Sequence, residues 1–232
     1  MRRSIAKILF ILFAALTAYS GYRIWNIQSG YKKEAELHSG VMEYRPEPQD
    51  DELINRSVID LQAKYPDVVG WLTVPGTGID YPFVWHGDNE HYLRRDLNGG
   101  YAVAGTIFMD DRCEKAFTSQ NTILYGHHMK NGSMFGTLKA FADKVFFDIN
   151  RHATIYLPHE TLTLEFFAYM IIKSGDKEIY SAALSENFIG YVRQNARHYR
   201  GVALAASDRI VTLSTCAYEF DNARMVLLAR VA

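Results

Sequence analysis

Apolar residues open the chain in one block and then change their period. Ile8 to Tyr22 (ILFILFAALTAYSGY) is a run of fifteen residues without a charge. At a helical rise of about 1.5 Å per residue it covers roughly 22 Å, short of a hydrocarbon core of roughly 30 Å. Continuing to Ile27 gives twenty residues with one charge, Arg23, whose long side chain can snorkel to the headgroups. Tyr22 and Trp25 suit the same interface. The block predicts a membrane helix within residues 1–27, behind Arg2, Arg3 and Lys7. Two readings compete. A cleaved secretory signal has this basic start, with Ala18-Tyr19-Ser20 as a poor cleavage site. An uncleaved signal anchor is favoured by the aromatic flank. Either one exports the rest, since everything bulky lies C-terminal, and the anchor predicts a single-pass membrane protein with an extracellular domain.

Residues 28–50 are polar, with Pro46 and Pro48 among acids (RPEPQDDE), and read as a stalk followed by a linker. Residues 51–232 then read as one domain. Leu53 to Lys64 places Leu53, Ile54, Val58 and Leu61 on one helical face, and Pro66 stops it. Afterwards the period falls to two. Strands are predicted over 69–74, 79–84, 105–108, 121–125, 153–157, 162–173, 209–215 and 224–231, β-branched or aromatic and bounded by turn residues. Short helices are predicted near 134–142 and 185–196. The class is mainly β with peripheral helices. Eight short strands suggest a closed or nearly closed barrel, which removes exposed edges. An open sandwich has the same period.

Composition changes this little. The 232 residues are 48% hydrophobic and 22% charged, ordinary for a globular chain. Lys+Arg number 25 against 26 Asp+Glu, so no basic excess points to nucleic acid. Two cysteines, Cys113 and Cys216, cannot form a disulfide framework.

The candidate chemistry lies at strand ends. Cys216 closes RIVTLSTC, where alternation puts Ile210, Thr212, Ser214 and Cys216 on one face. If the last two strands form a hairpin, Cys216 and Arg224 share one rim. A lone strand-end cysteine is more often a small buried hydrophobe, and a lone arginine a solvated one. Their joint placement is what argues for a site. Asn121–Tyr125 ends in Gly126, His127 and His128. Adjacent histidines on extended backbone point apart, so at most one faces Cys216. Cysteine, histidine and arginine suit acyl transfer. A thiolate attacks, an imidazolium protonates the departing amine, and the guanidinium holds the oxyanion, helped by the backbone N–H of Ala217. Cys113 sits in DDRCEK, where two preceding acids raise its pKa. None of the eight histidines lies in a zinc-helix motif and there is no CxxC, so no metal and no cofactor are expected.

Taken together, TLSTC (212–216), NTILYGHHM (121–129), GTIFMD (105–110), WLTVPGTGIDYP (71–82) and Arg224 resemble a sortase, and within sortases class B. The resemblance runs from about residue 51 to the end, in family order. It implies an eight-stranded sortase-type barrel behind an N-terminal membrane helix. Residues 53–64 match the family's N-terminal helices, and 185–196 its helix between the sixth and seventh strands. It implies Cys216, His127 and Arg224 as the catalytic set. It implies a substrate groove at Asn89, Leu93, Tyr125 and Ser214, with Tyr180 aligned more loosely. Ala217 departs from the acidic residue found there in many class B enzymes. The activity implied is a cysteine transpeptidase. It cuts an NPQTN- or NPxTG-like sorting signal of a secreted protein after Thr, and passes the protein to an amine of the peptidoglycan cross-bridge or a lipid-linked precursor. Three alternatives stay open: a pilin-polymerising sortase using a pilin lysine, a surface thiol protease, and a non-catalytic surface binding module.

Overall fold

The computed structural model describes residues 2–47, 54–205 and 207–232, which fall into two compact units dividing after Glu43. The first unit is a single helix, α1 (Arg2–Val41). Its forty residues extend about 60 Å. That is roughly twice a hydrocarbon core, and the helix is apolar enough to cross one. Ile8, Leu9, Phe10, Ile11, Phe13 and Leu16 expose their side chains, as a lipid-facing segment would. The stalk expected after Ile27 continues this helix to Val41. The expected linker, and the boundary at residue 51, fall partly on residues 48–53, outside the described residues.

The second unit begins with α2 (Arg56–Lys64), shorter than the helix read from the sequence. Leu53 lies outside the described residues. Val58 and Leu61 are buried as expected, but Ile54, before the helix, is 48% exposed. Asn55 precedes the helix without capping it through its side chain. Its Nδ2 instead donates to the carbonyls of Leu157 (2.6 Å) and Glu160 (3.2 Å), tying α2 to the turn between two strands.

Among the described residues nine strands follow: β1 (Val68–Val74), β2 (Ile79–Val84), β3 (Ile107–Met109), β4 (Asn121–Tyr125), β5 (His152–Leu157), β6 (Glu160–Lys173), β7 (His198–Tyr199), β8 (Ile210–Cys216) and β9 (Ala223–Val231). Their order is β5-β1-β2-β3-β4-β8-β9-β6-β7, and β5 also pairs with β6. That last pairing closes eight strands into a barrel, with the two-residue β7 hung on the outer stretch of β6. The open sandwich is not formed. Most neighbours are antiparallel, but β2–β3 and β4–β8 are parallel. The long β6 serves both β5 and β9 by shifting register between Phe166 and Ala168, a bulge that bends one strand round the barrel.

Trp71, Phe83, Phe166, Phe167, Leu213 and Leu227 are fully buried. The indole N–H of Trp71 donates to Asp80 at 2.7 Å, as does the Thr73 hydroxyl at 2.8 Å. Arg45 reaches the other oxygen of Asp80 at 2.6 Å. The WLTVPGTGIDYP segment is thus a hairpin whose buried aromatic has its polar edge satisfied. The segment read as a helix near 134–142 is a 3-10 turn, Gly136–Ala142, and that near 185–196 is α4 (Phe188–Asn195), between β6 and β8. The reading missed α3 (Lys144–Ile149), capped by Asp143 accepting from Phe146 N at 2.8 Å, and β7.

Candidate active site

Cys216 and Arg224 are directly opposed in the β8–β9 ladder. The register carries the same face across three strands: Tyr125 opposes Ser214 from β4, and Val226 opposes it from β9. Period-two alternation therefore puts Tyr125, Ser214, Cys216 and Arg224 on one face. At the rim of that face lies a cavity of about 280 Å³ lined by Asn89, Leu93, Phe108, Tyr125, Gly126, His127, Ser214, Thr215, Cys216 and Arg224. Of the residues expected from the sequence, seven meet here: Cys216, His127, Arg224, Asn89, Leu93, Tyr125 and Ser214.

The two histidines part as extended backbone requires. His127 lines the cavity, and its Nε2 lies 2.7 Å from the Leu93 carbonyl. A carbonyl only accepts, so that nitrogen carries the proton. His128 points elsewhere: its Nδ1 donates to the Cys216 backbone carbonyl at 2.9 Å, and Tyr218 packs on its ring. His128 holds the cysteine's main chain and His127 faces the cavity. Gly126 is needed for this geometry for a reason the sequence did not show. A Cβ there would come within 2.7 Å of the Phe135 ring; close packing, not backbone freedom, excludes a side chain.

The loop facing Cys216 is placed by Gly105. Its φ is +59°, and a Cβ would meet the carbonyls of Tyr92 and Leu93 at 2.5 and 2.6 Å. The chain passes closely beneath the 3-10 turn His91–Leu93 and sets the Leu93 carbonyl that receives His127. Asn89 is fixed by reciprocal bonds, donating to Asp111 Oδ1 and accepting from Asp111 N, both at 3.0 Å.

Two expectations need correction or relocation. The Ala217 N–H, expected to face an oxyanion, donates to Ala223 O at 2.9 Å. It closes the turn between β8 and β9 and is not offered to the cavity. The same carbonyl accepts from Arg224 Nη1 at 3.0 Å, which steadies the guanidinium and leaves four of its N–H groups for other partners. Tyr180 does not line the Cys216 cavity. It lines a neighbouring one of about 460 Å³ that shares Tyr125 and Arg224 with the first and adds Arg112, Asp176 and Lys177. The Tyr180 hydroxyl lies 2.8 Å from Ser214 Oγ, and burial pushes its pKa up to about 12.

Sequence reasoning missed the support beneath Tyr125. Its hydroxyl donates to Asp110 at 2.8 Å, and Arg112 grips the same carboxylate through Nε (2.7 Å) and Nη2 (2.5 Å). Burial raises the Asp110 pKa, but the bonds from Arg112 and Tyr125 outweigh it and leave it lowered. Burial first, and the Asp110 charge next, raise that of Tyr125. The signal was present: Asp110 ends the GTIFMD motif, but carried no role there.

Both cysteines are free. Cys113 is 2% exposed, and its thiol donates to Asn121 O at 3.4 Å. Burial, more than its acidic neighbours, pushes it up to about 11. At pH 8 its thiolate fraction is then about one in a thousand. Iodoacetamide on the folded chain at pH 8 is expected to label Cys216 alone; peptide mapping that found Cys113 labelled equally fast would refute this burial account.

Residues 72–232 match a family model described as a sortase domain. The chain is 36% identical over 185 residues to sortase B of Listeria monocytogenes, covering 74% of this chain and 72% of that protein. Among solved structures, sortase B from Bacillus anthracis superimposes with a TM-score of 0.76 at 31% identity, over 87% of this chain and 97% of that one. A Streptococcus pyogenes class B sortase involved in pilus biogenesis gives 0.70 at 30% identity, over 75% of this chain and 97% of that one.

Proposed function

The chain belongs to the sortase family, as a class B, cell-wall sorting transpeptidase, and on that basis we propose that Cys216, His127 and Arg224 carry the reaction. The observation supporting this is the shared cavity in which a strand-end cysteine, its cross-strand arginine and a glycine-flanked histidine come together.

In this reading the Cys216 thiolate attacks the Thr carbonyl carbon of an NPQTN- or NPxTG-like signal. The C–S bond forms and the carbonyl π electrons move to oxygen, where Arg224 donates to the developing negative charge. Collapse expels the C-terminal peptide as an amine, which takes its proton from His127. The thioester left on Cys216 is attacked by an amine of the peptidoglycan cross-bridge. That amine loses a proton to His127, the C–S bond breaks, and the thiolate returns. Asn89, Leu93, Tyr125 and Ser214 would line the signal's path, with Tyr180 holding Ser214 from behind. The apolar part of α1 would anchor residues 51–232 outside the membrane.

Arg224→Lys keeps the charge and loses the planar fork. Turnover is expected to fall at least tenfold, about 1.4 kcal/mol or more in barrier; unchanged turnover would take Arg224 out of the mechanism. Because one group must be deprotonated and the other protonated, turnover is expected to pass through a maximum with pH and fall on both sides. A flat profile from about pH 5 to 10 would contradict the pairing. Incubating the full chain with signal peptide and triglycine separates transfer from hydrolysis. The expected product is a peptide ligated at Thr; a hydrolysed peptide alone would indicate a thiol protease. The S. pyogenes relative's connection with pilus biogenesis supports a second acceptor, a pilin lysine, which a lysine-bearing peptide tests against triglycine in the same assay.

A further inference from the structure

The loop between β2 and the His91–Leu93 turn holds a donor cluster that the reaction at Cys216 does not use. His86, Asp88 and His91 each turn one ligand atom inward, all within 4.8 Å of one another. The spacing, H-x-D-x-x-H, is not the helical zinc pattern sought in the sequence, because the chain here is a loop entering a single 3-10 turn.

Each donor is oriented by a partner outside the trio or by the backbone. His86 Nδ1 lies 2.7 Å from Asp67 Oδ2. A carboxylate only accepts, so Nδ1 bears the proton and Nε2 keeps its lone pair. Nε2 faces Asp88 Oδ2 at 4.0 Å. Tyr92 donates to the same Asp67 oxygen at 2.8 Å, which steadies the carboxylate. This is the carboxylate–histidine relay that commonly backs a metal-binding imidazole. Asp88 uses only Oδ1 for the backbone, accepting from Glu90 N at 2.9 Å and His91 N at 2.6 Å, so Oδ2 is left facing the histidines. The His91 ring is stacked on His86 with centroids 3.8 Å apart, which holds the second imidazole beside the first.

We propose that His86 Nε2, Asp88 Oδ2 and one imidazole nitrogen of His91 bind a divalent first-row transition cation, Zn²⁺ foremost, with water completing the coordination. Two imidazoles with one carboxylate suit zinc, copper or nickel rather than calcium or magnesium, which prefer oxygen donors. Zinc–ligand bonds of about 2.0–2.1 Å set tetrahedral ligand atoms roughly 3.3 Å apart. Small side-chain rotations of His86 and Asp88, both exposed, and of the half-buried His91 would bring the ligand atoms to that spacing. The ligands straddle Asn89 and lie just before Leu93, two residues lining the Cys216 cavity. A bound cation would pin that wall of the groove. The site is independent of the chemistry at Cys216.

The test is calorimetric titration of ZnCl₂ into the tag-free, chelator-washed full chain in detergent. Cys216→Ala removes the competing thiolate. One equivalent is expected, with affinity at least tenfold weaker in His86→Gln and in His91→Gln, and roughly tenfold weaker in Asp67→Asn, which removes only the backing carboxylate. Thermal melts without metal check that the variants fold as the parent does. No binding at 100 micromolar zinc or below, or an affinity in both histidine variants equal to the parent's, overturns the proposal. So does calcium binding tighter than zinc.

Discussion

Cys216→Ala is expected to abolish both cleavage and ligation of a sorting-signal peptide, a loss of about 10⁴-fold or more in turnover. The reason is local. Cys216 is half-buried at the end of β8, opposite Arg224, whereas Cys113, the other thiol, is sealed in the core with its pKa raised to about 11. No second accessible thiol is available to take over. The substitution removes one small atom at a strand end, so the melting temperature should stay close to the parent's. A binding module would keep its affinity for the peptide and lose nothing else measurable. Residual ligation in Cys216→Ala within tenfold of the parent would show that the sulfur is not the nucleophile.

The second expectation separates the two histidines. His127→Gln should lower turnover by about 10²- to 10⁴-fold, the range for loss of a general acid–base group. His128→Gln should cost far less. Its imidazole holds the Cys216 carbonyl, and a glutamine amide can donate to the same oxygen. Steady-state kinetics of the two variants side by side decide the matter. A larger loss in His128→Gln would move the acid–base role to the histidine behind the cysteine.

Much of this was legible from period and spacing. Alternation along RIVTLSTC put Ser214 and Cys216 on one face, and the loop between two strong strands made a hairpin to Arg224 an open expectation that the β8–β9 register meets. Strand number suggested a closed barrel without separating it from an open sandwich, and the pairing of β5 with β6 decides between them. What failed was what depends on neighbours distant in sequence. KVFFDI is aromatic and β-branched, so α3 was invisible until the Asp143 cap and the packing of Phe147 were known. Ile54 fitted a helical face, but the helix starts at Arg56, beyond its reach. The Ala217 N–H was assigned by adjacency to the cysteine, yet the tight turn to Ala223 consumes it. Tyr180, aligned loosely, lies in the adjoining cavity with its hydroxyl beside Ser214 Oγ, a contact between distant segments that no spacing shows. The clamp of Asp110 by Arg112 and Tyr125 joins the end of one strand to the next. No period within either segment announces it.

Mass spectrometry of the intact full chain, quenched in acid after mixing with a panel of NPxTG- and NPQTN-like peptides, interrogates the mechanism at its covalent step. The expected result is a mass gain equal to the peptide fragment ending at Thr, carried on Cys216, released by hydroxylamine and absent in Cys216→Ala. Turnover of the same peptides without any such adduct, or an adduct that survives in Cys216→Ala, would contradict a thioester on this cysteine.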